Sequence, residues 1–301
     1  MPVRPPLSHP AAERADVIDT TIENGWIQVT VLIPRGNTGP RPAVITPIVE
    51  DSVLLERGIA VVRYHTNWET LAPLKPPEPE KPPGPELQVG GWLLTAPRPG
   101  IVGKAYFAIL SQEAERSVPR VVDYIATIPQ LDPGRLTIAG SSTSGFVALQ
   151  AMAADRRLAL GVVRVACGDY HRFLRASNLG LNSDPRWLPN GEMVLDADYE
   201  AELRRIEPIR AADRFPPRPL LLVTGADDPA IPADCARHTA KRFAAAYATA
   251  GVPERFRFAE LAGQGHNLGG DWERLAIDWW ERWLLGAAPL LTARSESPSP
   301  R

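Results

Sequence analysis

The sequence predicts an α/β fold, a mostly parallel eight-stranded sheet with helices on both faces, and three features predict it. Strand-like runs alternate with helix-like runs along the chain, the pattern of a sheet whose crossovers are helical. Pro219-Leu220-Leu221-Leu222-Val223-Thr224-Gly225 is a continuous apolar run, as a strand covered on both faces requires. Arg135-Leu136-Thr137-Ile138-Ala139-Gly140 is a second apolar run, and it passes through Ser141-Ser142-Thr143-Ser144-Gly145 straight into the helix-prone 146–152. With 301 residues and 44% apolar content, the chain can bury one large core.

Taken in order, the strands are expected at 16–22, 26–34, 43–48, 59–64, 135–140, 160–167, 220–225 and 255–261. The last of these alternates, Arg255-Phe256-Arg257-Phe258-Ala259-Glu260-Leu261, as a half-exposed edge does. Residues 73–99 include Lys75-Pro76-Pro77-Glu78-Pro79-Glu80-Lys81-Pro82-Pro83-Gly84-Pro85, which can form neither helix nor ladder. This stretch is read as an extended, polyproline-like surface loop beside the candidate site. Residues 168–213 form a loop-and-helix insert with a charged helix over 199–205. Trp272, Trp279, Trp280 and Trp283 fall at helical spacing with Leu275, Ala276 and Leu284, which suits packing on the sheet. The expected domain is 16–286, with tails at 1–15 and 287–301.

Composition narrows the function classes. A formal charge of −2 without a basic stripe argues against nucleic acid as a partner. No apolar run reaches the ~18 residues of a membrane span, and Met1-Pro2-Val3-Arg4-Pro5-Pro6 lacks the apolar core of a signal peptide, so a cytoplasmic location is expected. Cys167 and Cys235 have no metal-type spacing and are read as reduced bystanders. There is no phosphate loop, no His-Glu-x-x-His and no dinucleotide fingerprint, so neither a cofactor nor a metal is expected.

The joint at 135–152 has the layout of a nucleophile elbow, a strand turning sharply into a helix with a serine at the apex. In the frame G-x-S-x-G, Gly140 is the first small residue and Ser142 the nucleophile, while Ser144 stands where glycine is usual. Ser141, Thr143 and Ser144 also carry hydroxyls; the distance from the strand end favours Ser142. A serine hydroxyl needs an imidazole to take its proton, and the imidazole needs a carboxylate to orient it. Both follow, each at a strand end. The run 219–225 ends in Ala226-Asp227-Asp228-Pro229, where Asp228 is the candidate acid and Asp227 the alternative; 255–261 ends in Ala262-Gly263-Gln264-Gly265-His266, where His266 is the candidate base. His65 and His171 also follow strands and are weighed as pocket residues, whereas His238 sits among helix formers.

These segments together resemble the α/β-hydrolase superfamily, and within it the small bacterial carboxylesterases related to dienelactone hydrolase and the prolyl oligopeptidase catalytic domain. The resemblance covers nearly the whole chain and is most specific over Arg205-Ile206-Glu207-Pro208-Ile209-Arg210 through Asp228-Pro229, and at Gly265-His266. It selects Asp228 over Asp227 and implies a serine hydrolase acting on a small-molecule ester, with a short acyl chain expected. Dienelactone hydrolase itself uses cysteine where this chain has Ser142, so that narrower activity is not carried over. The oxyanion hole implied by the resemblance takes one N–H from Thr143 and a second from Val49 or Ile48. Relatives carry His-Gly there; this chain has Thr46-Pro47-Ile48-Val49-Glu50-Asp51, with two acidic residues close by. Trp68, Trp92 and Trp187 are candidates for the substrate pocket. A serine peptidase and a non-catalytic binding protein of the same fold are the alternatives.

Overall fold

Strand β9 (Leu220–Gly225) is buried along its length, and its side chains divide between two cores. Leu220 and Leu222 join one cluster, while Leu221 and Val223 join the other. Period-two alternation in a strand with no exposed face therefore dictates a sheet covered on both sides. A computed structural model describes residues 14–36, 39–46, 48–67, 86–89, 92–95, 101–179, 181 and 195–286, with backbone alone at 86–89, 92–95, 101 and 102.

The sheet has eight strands in the order β1-β2-β4-β3-β7-β8-β9-β10. They are β1 (Ala15–Ile22), β2 (Ile27–Pro34), β3 (Arg41–Ile45), β4 (Ala60–Thr66), β7 (Leu131–Ser141), β8 (Leu158–Arg164), β9 and β10 (Phe256–Leu261). The β1-β2 and β2-β4 pairs are antiparallel and the rest are parallel. One face carries α2 (Ile101–Gln112), α3 (Val118–Ile125), α4 (Thr143–Ala154), α5 (Tyr170–Ala176), α6 (Ala197–Ile206) and α7 (Ala233–Thr249). The other carries α1 (Asp51–Leu55) and α8 (Asp271–Trp283), whose Trp272, Ala276, Trp279 and Trp280 are buried.

Several expectations need correction. β3 stops at Ile45 rather than 48, because Thr46 turns to φ +52° and Pro47 has no N–H to donate. β8 stops at Arg164 rather than 167, because Val165 takes φ +42°. The proline-rich stretch is not loop throughout: β5 (Glu86–Val89) and β6 (Trp92–Thr95) pair as an antiparallel hairpin within it. That segment is free of proline and has Gly90-Gly91 between its halves, a hairpin signal that the neighbouring prolines masked. The proline run itself lies outside the described residues. Residues 101–125 are helical throughout, with a π-helical turn over Glu113–Ser117 between α2 and α3. Cys167 and Cys235 are not reduced bystanders. They form a disulfide with Cα atoms 5.9 Å apart, since the end of β8 and the start of α7 meet at the carboxyl edge of the sheet.

Candidate active site

The elbow is built by sterics. Ser142 sits at φ +55°, ψ −120°, outside the comfortable regions for a residue with a side chain, between β7 and α4. A Cβ on Gly140 would lie 2.1 Å from the Ser144 carbonyl oxygen, and one on Gly145 would lie 2.8 Å from Ala166 Cβ, so both positions exclude side chains. Ser144 fits where glycine is usual because its hydroxyl folds back: Oγ donates to the Ser141 carbonyl and accepts from the Ser141 N–H, both at 2.9 Å. Ser141 Oγ accepts from Arg164 Nε at 2.8 Å. Two of the competing hydroxyls are thereby engaged within the turn, while Ser142 is held through its backbone, its N–H donating to Arg164 O and its carbonyl accepting from Phe146 N–H, each at 3.1 Å.

Asp228 and His266 meet across the ends of β9 and β10. The two loops are stitched by Ala226 N–H to Leu261 O at 3.0 Å and Asp227 N–H to Gln264 O at 2.9 Å. Gly225 is obligatory there, since a Cβ would come within 2.3 Å of the Gly265 carbonyl. His266 Nδ1 is 2.8 Å from Asp228 Oδ2, while Asp228 Oδ1 accepts from Ala230 and Ile231 N–H, both at 2.9 Å. The Asp228 side chain is fully buried and that of His266 is 34% exposed. Two backbone donors fix the buried carboxylate and, through it, the imidazole ring at Nδ1, with Nε2 outside that contact. Asp227 accepts no hydrogen bond from His266. No Ser142–His266 hydrogen bond is present among the described residues; such contacts commonly tighten only around substrate.

A model of the prolyl oligopeptidase family matches residues 116–286, more than half of the chain. The chain belongs to the prolyl oligopeptidase family. No curated protein matches it in sequence. Among solved structures it is similar to TT1662 from Thermus thermophilus, at 20% identity and TM-score 0.57, covering 90% of this chain and 99% of that one. It is also similar to an acylaminoacyl peptidase from Pyrococcus horikoshii (14%, TM-score 0.59, covering 89% and 41%) and to a puromycin-hydrolyzing peptidase from Mycobacterium tuberculosis (19%, 0.55, covering 84% and 36%). The chain thus spans well under half the length of those two peptidases. At these identities the likeness establishes the fold alone; with the family match and the eight-stranded, mostly parallel sheet, that fold is the α/β-hydrolase fold.

In this family member the segment after β3 is strained and braced. Thr46 is β-branched at φ +52°, and its single hydroxyl proton is shared between the carbonyl oxygens of Ala139 and Ile45. Of the two acidic neighbours, Glu50 is exposed, but Asp51 is buried rather than solvent-facing and takes a bidentate pair from Arg63, at 2.7 and 3.3 Å. The nearby acid is therefore neutralised by an ion pair. Val49 is buried and Ile48 half-buried against the α1/α8 core. Among the described residues, the N–H groups of Ile48, Val49 and Thr143 have no acceptor. The Thr143 side chain hydrogen-bonds the hydroxyl of Tyr106, whose pKa burial pushes up to about 12. Tyr106 carries no motif of its own in the sequence; it is the helical stretch 101–125 that brings it to Thr143.

The other candidates fall elsewhere. His171 is held between Glu207 and Glu200, with Nδ1 and Nε2 at 2.5 and 2.8 Å, and ties α5 to α6 and the residue after it within the insert. His238 pairs with Asp169, and His65 is exposed. Trp68 and Trp187 lie outside the described residues, as does the side chain of Trp92. Among the described residues no cluster of His, Cys, Asp and Glu is placed to hold a metal ion, and no helix is long and apolar enough to cross a membrane.

Proposed function

We propose that the chain is a serine hydrolase that cleaves small carboxylic esters with short acyl chains, using Ser142, His266 and Asp228 and no cofactor. The observation that carries this reading is the pairing of a buried Asp228 with His266 at 2.8 Å, on the sheet edge where Ser142 occupies a strained apex. Ser142 Oγ attacks the ester carbonyl carbon while His266 Nε2 takes its proton; Asp228 holds the Nδ1–H and stabilises the cation that forms. His266 then returns the proton to the leaving alkoxide, and water cleaves the acyl-enzyme by the same route. The oxyanion is met by the N–H of Thr143 and that of Val49 or Ile48. The partner is a small ester, with no role for nucleic acid or membrane. The domain spans 16–286, and the cystine at its carboxyl edge fits an oxidising compartment better than the cytoplasm expected from the first residues.

The second reading is a peptidase, favoured by the family and by the peptidases among the similar structures. A non-catalytic binder is opposed by the braced strain at the apex, which serves no purpose without a reacting hydroxyl. A fluorophosphonate probe tests catalysis directly: labelling is expected in the wild type and absent in Ser142→Ala, with hydrolysis of p-nitrophenyl butyrate falling by about four orders of magnitude or more. Labelling that survives in Ser142→Ala rejects the frame, and aminoacyl-anilide turnover exceeding ester turnover selects the peptidase.

A further inference from the structure

Two arginines are buried at the amino edge of the sheet, and their surroundings differ. Arg218, 2% exposed, donates to five backbone carbonyls. Arg41, 8% exposed at the start of β3, is anchored through its backbone, its N–H donating to Gln130 O at 2.8 Å. Among the described residues its Nε and both Nη make no hydrogen bond and no ion pair, yet none of the three is sealed from solvent. A guanidinium so deeply buried without a counter-charge is unfavourable, and its open donors call for an anion from outside the chain.

Arg41 is in the wall of a cavity of about 270 Å³, which lies between the end of β2, the start of β3 and residues 129–130 ahead of β7. That volume approaches the ~300 Å³ at the small end of ligand pockets. Gly58, ahead of β4, leaves room for the guanidinium: a Cβ there would lie 3.1 Å from Nη1, and φ of +74° disfavours a side chain besides. The other charges nearby are paired among themselves. Arg35 Nε donates to Asp16 Oδ1 at 2.9 Å, and Arg135 Nε to Asp132 Oδ2 at 2.6 Å. Ile33, Pro34, Pro40 and Pro129 give the cavity apolar walls. One uncommitted cation suits a monoanion, its planar fork suits a carboxylate, and the walls suit an apolar body.

We propose that this cavity is a second binding site, at the opposite edge of the sheet from Ser142, for a small monocarboxylate with an apolar body whose carboxylate pairs with Arg41. It stands independently of the serine-hydrolase reading. Benzoate is the probe, with benzamide as its neutral isostere and inorganic phosphate as an anion without an apolar body. Isothermal titration calorimetry on the full chain is expected to show benzoate binding to the wild type, with benzamide and phosphate each weaker by roughly ten-fold or more. Arg41→Gln should weaken benzoate by roughly ten- to a hundred-fold, the worth of a hydrogen bond to a charged group, and Arg41→Lys, which keeps the charge without the fork, should fall between. Amide chemical-shift mapping in the wild type locates the ligand without any variant: shifts are expected at Gly36, Gly39, Arg41 and Gln130, and none at Gly265 or His266. That measurement decides the matter if circular dichroism shows Arg41→Gln to be unfolded. A wild type that binds no benzoate at millimolar concentration overturns the site, as does unchanged affinity in a folded Arg41→Gln. Equal affinity for benzamide, tighter binding of phosphate, or shifts centred on Gly265 and His266 overturn it as well.

Discussion

The two ends of the same sheet are built on opposite principles. At the carboxyl edge, residues with side chains occupy positive φ directly after three strands of the parallel part of the sheet: Thr46 after β3, Ser142 after β7 and Val165 after β8. Thr46 and Val165 are β-branched, for which this conformation is a true outlier costing on the order of 1–3 kcal/mol. Cross-strand bonds hold them there, Thr46 N–H to Val62 O at 2.9 Å and Val165 N–H to Val223 O at 2.8 Å. At the amino edge the positive-φ positions are Gly36 after β2, Gly58 before β4 and Gly251 ahead of β10, where the strain vanishes. That edge is also where Arg218 is almost wholly buried with all its donors satisfied. Its nitrogens reach the carbonyls of Phe215, Asp155, Leu158, Met152 and Arg214 at 2.7 to 3.3 Å. Burial draws its pKa down to about 10, which still leaves the cation intact near neutral pH. One edge is relaxed, the other strained, and chemistry belongs at the second.

This contrast predicts which substitutions cost activity and which cost stability. The largest effect is expected at the carboxyl edge: Asp228→Asn lowers kcat by about four orders of magnitude, since the amide presents the wrong partner to His266 Nδ1. Melting temperature should change little; a large drop would make Asp228 chiefly structural. At the amino edge the signs reverse. Arg218→Met removes the five hydrogen bonds that the guanidinium donates to backbone carbonyls and should lower unfolding free energy by about 3 kcal/mol or more in urea titrations, with kcat of the folded fraction unchanged. A kcat loss in that variant would break the separation of the two edges. The Cys167–Cys235 disulfide staples the carboxyl edge across a sequence separation of 68. Replacing both cysteines by serine should cost about 2–4 kcal/mol, and reductant should destabilise the wild type but not the variant. The smallest effect is sought after β3: Val49→Pro removes an N–H and, in a protein shown to fold by circular dichroism, should lower kcat about a hundred-fold. If it does not, with Ile48→Pro equally silent, the second oxyanion donor lies elsewhere.

The sequence by itself determined what is carried by contiguous residues. Apolar runs such as 220–225 declare buried strands, and small residues at Gly140 and Gly145 declare a turn too tight for side chains. Asp228 and His266 were legible because each closely follows a strand of its own in a loop rich in Gly or Pro. What only the tertiary structure decided involves residues far apart in the chain or conformations with no local signature. The strain at Thr46 and Val165 shortens two strands, yet nothing in their neighbours announces it, because β-branched residues ordinarily favour strands. The pairing of Cys167 with Cys235, the neutralisation of Asp51 by Arg63, and the stacking of Arg164 on Trp272 all depend on which strand ends and helices meet. Local sterics and periodicity select elements one at a time, whereas these contacts exist only once the sheet order β3-β7-β8-β9-β10 brings the strand ends side by side.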